Sequence, residues 1–449
     1  MGKLTRTLSA AQVAVSLIAL VGCPQSSGAQ DKGLEPAPVL GWSSWSFLKK
    51  NPTAVNMEAQ ALALQASGLH ELGYNYINMD DFWYECPGKQ GPNVDDYGRW
   101  IIDATKFPSK GETDGIKVLA DYIHGLGMKF GIYMTPGLSM QAVTKNTRIE
   151  GTQYTAVQIA VPTHAEENYN CKGMVSIDFS KPGAQQYINS LVNRFAAWGV
   201  DYIKLDGIED YNTADLEAWS KAIKQSGRPM VLDATEGDFT LALAPTLMKY
   251  ADQWEAAPDI ECGRCARLHP EAGYILTTWA NIAKRFNYVA DWQQYAGSGR
   301  WNDYDSIEIG NGIHDGLTPD ERQSQMSLWA LASAPLILGI DLTKLDPQDL
   351  QYLKNTAVLA VDQDSIAAKR IVNSGDQQVF AKKEANGNVI VGLFNTGSAS
   401  EKVSVSASAV GLADGANSLT DLWTGKREKA GSIISATVPS HGVVLYRAQ

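Results

Sequence analysis

Residues 200–207 read VDYIKLDG. Val200, Tyr202, Ile203 and Leu205 have the β-branched, aromatic and aliphatic character of a strand covered on both faces, and Lys204 and Asp206 interrupt it just before Gly207. Two opposite charges at the end of a buried strand have two readings. One is a salt bridge that closes the strand. The other is a nucleophilic carboxylate kept ionised by Lys204, because an unpartnered buried carboxylate costs several kcal/mol or takes up a proton.

The chain on either side of this stretch bears on the choice. Short apolar segments alternate with amphipathic helical ones, and the alternation occurs eight times. Strands are expected over 39–45, 74–82, 129–135, 201–206, 229–234, 253–259, 300–305 and 336–342. Helices are expected between them, over 57–72, 116–126, 184–198, 215–225, 275–286 and 320–333. Alternation of this kind builds a parallel sheet with crossover helices, and eight units close a (β/α)8 TIM barrel, here spanning about 36–365. From about residue 370 to 449 the pattern changes to short alternating strands such as VFAKK, VIVGLFN and KVSVSAS. Asn-Gly and Gly-Ser turns separate them, which reads as a C-terminal antiparallel β-sandwich.

In such a barrel the chemistry sits at the carboxyl ends of the strands. Those ends carry Trp42 and Trp45, Asp80 and Asp81, Tyr133, Lys204 and Asp206, Glu255 and Asp259, and Asp303 and Asp305. Asp is common in βα turns and helix caps, so any one of these has a structural explanation. So many carboxylates on one face repel one another unless a polyhydroxylated ligand or a reaction uses them. Two long inserts, 137–178 and 260–274, leave the same face and can wall a cleft.

The 449 residues are 44% hydrophobic with a net charge of −11. That balance excludes the clustered Lys and Arg of a nucleic-acid footprint. The twelve Trp and eighteen Tyr suit core packing and also the stacking of sugar faces. Residues 1–30 read as a secretory signal, with Lys3 and Arg6 ahead of an apolar run from residue 10 to 21. Leu20-Val21-Gly22-Cys23 resembles a lipobox, which would place a membrane lipid anchor on Cys23. Ordinary cleavage after Ser27-Gly28-Ala29 is the other reading. Either way the protein is expected to be exported, as a periplasmic, cell-surface or secreted protein. Four cysteines remain, and in an oxidising compartment they suggest the pairs Cys86–Cys171 and Cys262–Cys265. The competing zinc reading of the Cys-x-x-Cys lacks a second ligand pair, and no metal or cofactor is expected.

Six segments resemble the family 27 glycoside hydrolases, the α-galactosidase or melibiase group. They are GWSSW at 41–45, GYNYINMDD at 73–81, KFGIY at 129–133, WGVDYIKLDG at 198–207, RWNDYD at 300–305 and Ala334-Pro335-Leu336. The resemblance implies a retaining α-glycosidase acting on an oligosaccharide or polysaccharide. It carries the nucleophile onto Asp206 and the acid/base onto Asp259 of Trp254-Glu255-Ala256-Ala257-Pro258-Asp259-Ile260. RFNYVAD at 285–291 is a rival location, but it falls where a helix is expected. By the same resemblance Asp80 and Asp81 bind the 4- and 6-hydroxyls and Lys204 the 3- and 4-hydroxyls, while Trp45 and Tyr133 line the sugar and Asp305 holds the 2-hydroxyl side. A retaining mechanism needs its two carboxyls roughly 5 to 5.5 Å apart, one ionised and one protonated for part of the cycle. Lys204 would hold Asp206 anionic, and negative neighbours including Glu255 would raise Asp259.

The chain also departs from the family pattern. Glu255 stands where the family has Arg, and Ala234-Thr235-Glu236 replaces a Cys-Glu segment, leaving Glu236 as the stand-in. These changes surround the sugar's 2-position. They leave three readings open: an α-galactosidase, a β-L-arabinopyranosidase or isomaltose-releasing enzyme of the same mechanism, and a glycan-binding surface lipoprotein.

Overall fold

Eight parallel strands form the first sheet of this computed structural model, which describes residues 1–2, 34–236, 239–262, 274–413, 415 and 417–449. The strands are β1 (Leu40–Ser43), β2 (Tyr74–Met79), β3 (Lys129–Met134), β4 (Tyr202–Asp206), β5 (Val231–Thr235), β6 (Gln253–Glu255), β7 (Trp301–Asp303) and β8 (Leu336–Leu338). Their spatial order is β7-β6-β5-β4-β3-β2-β1-β8. The ring closes beyond the end of β7, where Ile307 bridges Leu338 in parallel. There Ile307 N donates to Ile337 O at 2.7 Å and Gly339 N to Ile307 O at 3.1 Å. The expected eight-strand barrel is therefore present.

The helices expected at 116–126, 184–198, 215–225 and 320–333 appear as Gly115–Gly125, Ala184–Trp198, Thr213–Ser226 and Pro319–Ala332. The segment 57–72 splits into Ala54–Ala66 and a short turn His70–Leu72, broken at Gly68 in the left-handed region. The helix expected over 275–286 runs instead from Trp279–Trp292. Strand six stops at Glu255 and strand seven at Asp303, well before the expected ends.

The barrel interior is layered. At the floor Val39, Tyr76, Tyr202, Val231 and Ile337 form an apolar plug. A polar tier lies against it: Tyr202 donates to Asp233 Oδ2 at 2.7 Å, and Gln253 Nε2 to Tyr202 Oη at 2.9 Å and Asp303 Oδ2 at 2.8 Å. Gly131 leaves room for this tier, since a Cβ there would collide with Asn78 Oδ1. The ionisable ends of the strands lie above.

The C-terminal strands form the expected antiparallel sandwich, a six-stranded sheet facing a two-stranded one. The sandwich has its own core around Val391, Leu393, Val403 and Ile434. It also shares the barrel's core through Phe286, which packs on Phe394 at 5.0 Å and on Phe380 at 6.1 Å. Lys382 is buried at this seam, donating to Val361 O at 2.6 Å and Asp364 Oδ1 at 2.8 Å. Residues 137–178, expected as loop alone, contain a small sheet of Leu138–Ser139, Ala160–Glu166 and Met174–Ile177. The expected leader with Cys23 lies outside the described residues, as does Cys265.

Candidate active site

The carboxyl ends of β1 to β7 surround a cleft of about 570 Å³. Every residue that the sequence assigns to substrate or catalysis lines it: Trp45, Asp80, Asp81, Tyr133, Lys204 and Asp206 from the first four strands, and Glu236, Glu255, Asp259 and Asp305 from the next three. The rival 285–291 segment lies inside the helix Trp279–Trp292. Its Arg285 is buried and donates to the carbonyl oxygens of Pro258, Asn281 (3.0 Å) and Tyr304 (3.4 Å). Arg285 thus braces the turns that carry Asp259 and Asp305.

On the β2 side, the Asp80 amide donates to Ser44 Oγ at 2.9 Å, and Asp80 Oδ1 accepts from the Asp81 amide at 2.7 Å. Asp81 Oδ1 accepts from Tyr84 Oη at 2.7 Å and the Phe82 amide at 2.8 Å, and Oδ2 accepts from Asn170 Nδ2 at 2.9 Å. Phe82 adopts φ 73°, a left-handed backbone that is costly for a side chain of this size. The strain is held where the chain turns to present both carboxylates. Burial raises Asp81 to about 6, reinforced by Asp80 and opposed by its three donors.

Asp206 accepts from Thr235 Oγ1 at 2.9 Å. Lys204 acts on it in the expected direction, its charge favouring the ionised form, but the bond that Lys204 Nζ makes is to Asp80 Oδ2 at 2.9 Å. The Asp206 carboxyl is pushed up to about 6 by burial and by Asp80, against the charge of Lys204 and hydrogen bonds from Thr235 and Tyr133. Lys204 thus serves both carboxylates, bonded to Asp80 and acting on Asp206 by charge alone.

On the far wall, Glu255, Asp259 and Asp305 bring oxygens within 4.8 Å of one another. Among the described residues this is the grouping placed to hold a cation, and its all-carboxylate donor set suits a hard or ammonium cation. Asp305 sits at φ 74°, with Oδ2 accepting from the Ile260 amide at 2.5 Å and Oδ1 from the Ser306 amide at 2.6 Å. Glu255 is only 7% exposed, and withdrawal from water followed by the charge of Asp305 pushes its carboxyl well up. Asp259 is the exposed member of the three, and desolvation and then Asp305 bring it to about 6. Glu261 accepts from Ser46 Oγ at 2.8 Å and pairs with Lys49 at 3.4 Å.

Sequence reasoning missed Tyr169, Asn170 and Glu261, which also line the cleft. Tyr169 and Asn170 arrive on the insert, anchored by the expected Cys86–Cys171 disulfide. Cys262 is disulfide-bonded.

Residues 49–165 and 168–364 match the family described as Alpha galactosidase A, and residues 374–448 match the Alpha galactosidase C-terminal beta sandwich domain. The chain belongs to the alpha-galactosidase family, and it is a glycoside hydrolase. The alpha-galactosidase of Coffea arabica is 32% identical over 421 residues, covering 92% of this chain and 94% of that one. Among solved structures, a β-L-arabinopyranosidase from Geobacillus stearothermophilus superposes with a TM-score of 0.82 at 30% identity, covering 92% of this chain and 96% of the other. Alpha-galactosidase I from Mortierella vinacea gives 0.72 at 26% identity, covering 93% and 98%. The alpha-galactosidase family thus contains two sugar specificities among the relatives of this chain.

Proposed function

We propose that this chain is a retaining, exo-acting α-glycosidase that releases terminal α-linked galactose, with Asp206 as nucleophile and Asp259 as acid/base. One observation carries the assignment. The two carboxyls enter the same cleft from the ends of β4 and β6, and the charge of Asp206 raises the Asp259 carboxyl.

In the first step Asp206 attacks the anomeric carbon while Asp259 gives its proton to the glycosidic oxygen, so the C–O bond breaks and the aglycone leaves as an alcohol. A glycosyl ester on Asp206 remains. Asp259, now ionised, takes a proton from water, the hydroxide oxygen bonds to the anomeric carbon, and Asp206 leaves as carboxylate. Two inversions return the original anomer. Asp80, Asp81 and Lys204 would receive the sugar hydroxyls, Trp45 and Tyr133 would flank the ring, and Asp305 and Glu236 would complete the wall.

NMR of the first-formed sugar tests this reading. The α anomer is expected, Asp206→Asn protein should be inactive, and early β anomer or an active Asp206→Asn would refute the assignment. A second reading, a β-L-arabinopyranosidase, is favoured by the Geobacillus relative. L-arabinopyranose presents galactose's ring hydroxyls without the exocyclic carbon, so paired nitrophenyl substrates separate the two. A third, a non-catalytic glycan binder, would show sugar binding with no turnover of either. Export rests on the leader at 1–30. Fractionation of a Cys23→Ser variant distinguishes lipid anchoring from release.

A further inference from the structure

The cleft is more acidic than a neutral sugar requires. Among the described residues lining it are eight carboxylates and a single lysine, Lys204. That lysine bonds Asp80, Lys49 pairs with Glu261, and the Arg285 guanidinium is committed to carbonyl oxygens. No cation among the described residues therefore bonds Glu255 or Asp259. Glu255 is the sharper observation, because the residue is more than nine-tenths buried, lines the cleft and accepts no hydrogen bond from a described residue. A buried acceptor left in this way by the described residues calls for a further donor, and preferably a cationic one.

We propose that the glycoside bound here carries an ammonium group, seated between Glu255, Asp259 and Asp305, so that the preferred substrate class is the α-linked 2-amino-2-deoxy sugars. The dimensions fit. An ammonium donating three charge-assisted bonds of about 2.8 Å at tetrahedral angles places its acceptors about 4.6 Å apart. The three carboxylates offer oxygens within 4.8 Å. The position on the sugar rests on the reading that Asp259 reaches the glycosidic oxygen. An amine that shares Asp259 with that oxygen sits on the carbon next to the anomeric centre. Acetylation abolishes the charge and two of the three N–H donors, so the N-acetyl sugar does not substitute. Burial and the charge of Asp305 push the Glu255 carboxyl up, and a docked ammonium opposes that shift.

The test uses the full-length chain at about pH 6, where Asp206 and Asp259 titrate. Calorimetry on Asp206→Asn protein compares free galactosamine, N-acetylgalactosamine and galactose, and kcat/KM is measured on wild type with their nitrophenyl α-glycosides. Galactosamine is expected to bind at least about tenfold tighter than galactose, the worth of one well-made bond to a charged group. That preference should collapse in Glu255→Gln and above the amine's own pKa. Cleavage of galactoside with no preference for galactosamine overturns the inference and leaves the hydrolase intact. Binding of galactosamine without turnover of any glycoside keeps the ammonium site and overturns the hydrolase. Calcium ions that bind the wild type but not Glu255→Gln, and that galactosamine does not displace, would assign the three carboxylates to a metal and refute the proposal. Should Glu255→Gln not fold, the wild-type comparison of the three sugars decides alone.

Discussion

Thr235→Val removes one hydroxyl and changes almost nothing else. The hydroxyl donates to Asp206 Oδ1 at 2.9 Å, and Thr235 is buried, so valine fills the same space without the donor. A hydrogen bond to a charged acceptor contributes about 1.5 kcal/mol or more, which is about one pKa unit at 1.36 kcal/mol per unit. The bond favours the ionised form, so its loss raises Asp206 from about 6 towards about 7. Asp259, also at about 6, keeps its own surroundings and feels the change through the charge of Asp206. The reactive enzyme holds a single proton, and that proton must be on Asp259. With matched groups about half of the singly protonated molecules are correct, and after a one-unit rise of Asp206 about one in eleven is. Maximal kcat/KM should therefore fall about fivefold, and the acid limb of the profile should move to higher pH. The assay is kcat/KM against pH on a nitrophenyl glycoside, with thermal unfolding as the control. A variant whose profile overlays wild type at equal stability would show that Thr235 does not tune Asp206.

Asn170→Ala removes the only insert donor to Asp81 among the described residues, pushing that carboxyl further up. KM should rise by about tenfold with kcat nearly unchanged, and a fall in kcat alone would refute this. Lys382→Ala strands Asp364 and several carbonyls at the seam between the barrel and the sandwich, and should cost about 3 to 5 kcal/mol in denaturant unfolding. An unchanged midpoint would mean that the seam does not depend on it. Gly131→Ala drives a methyl into Asn78 inside the barrel and should lower stability by about 1 to 3 kcal/mol. An unchanged melting temperature would show that the interior yields there.

The barrel was legible because its strands and helices differ in period, and this signal survives without knowing any contact. Boundaries were less so. Beyond Glu255 and Asp303 the residues stay apolar or aromatic, as in Ala256-Ala257 and Tyr304, yet the backbone leaves the sheet to form the site; at Asp305 it enters the left-handed region. Residues 160–166 looked like loop because most of that strand is exposed and carries Pro162, Thr163 and His164 without alternation. The site carboxylates were found by position at strand ends and by family resemblance. Their electrostatics were legible in part: the charge of Lys204 does act on Asp206 and negative neighbours do raise Asp259, but the residue that Lys204 bonds, Asp80, lies across two strands. Asn170 belongs to an insert with no periodicity, and nothing in its sequence points to Asp81.

The hoop of eight strands is fastened unevenly. Neighbouring strands elsewhere share two to five paired residues, but the last join is a lone clasp at Ile307 and Leu338. Ile307 comes two positions after Asp305, on the same stretch that lines the cleft. Occupancy and closure are therefore linked: a ligand seated on Asp305 also buckles the hoop, and its binding energy adds to the work of opening it.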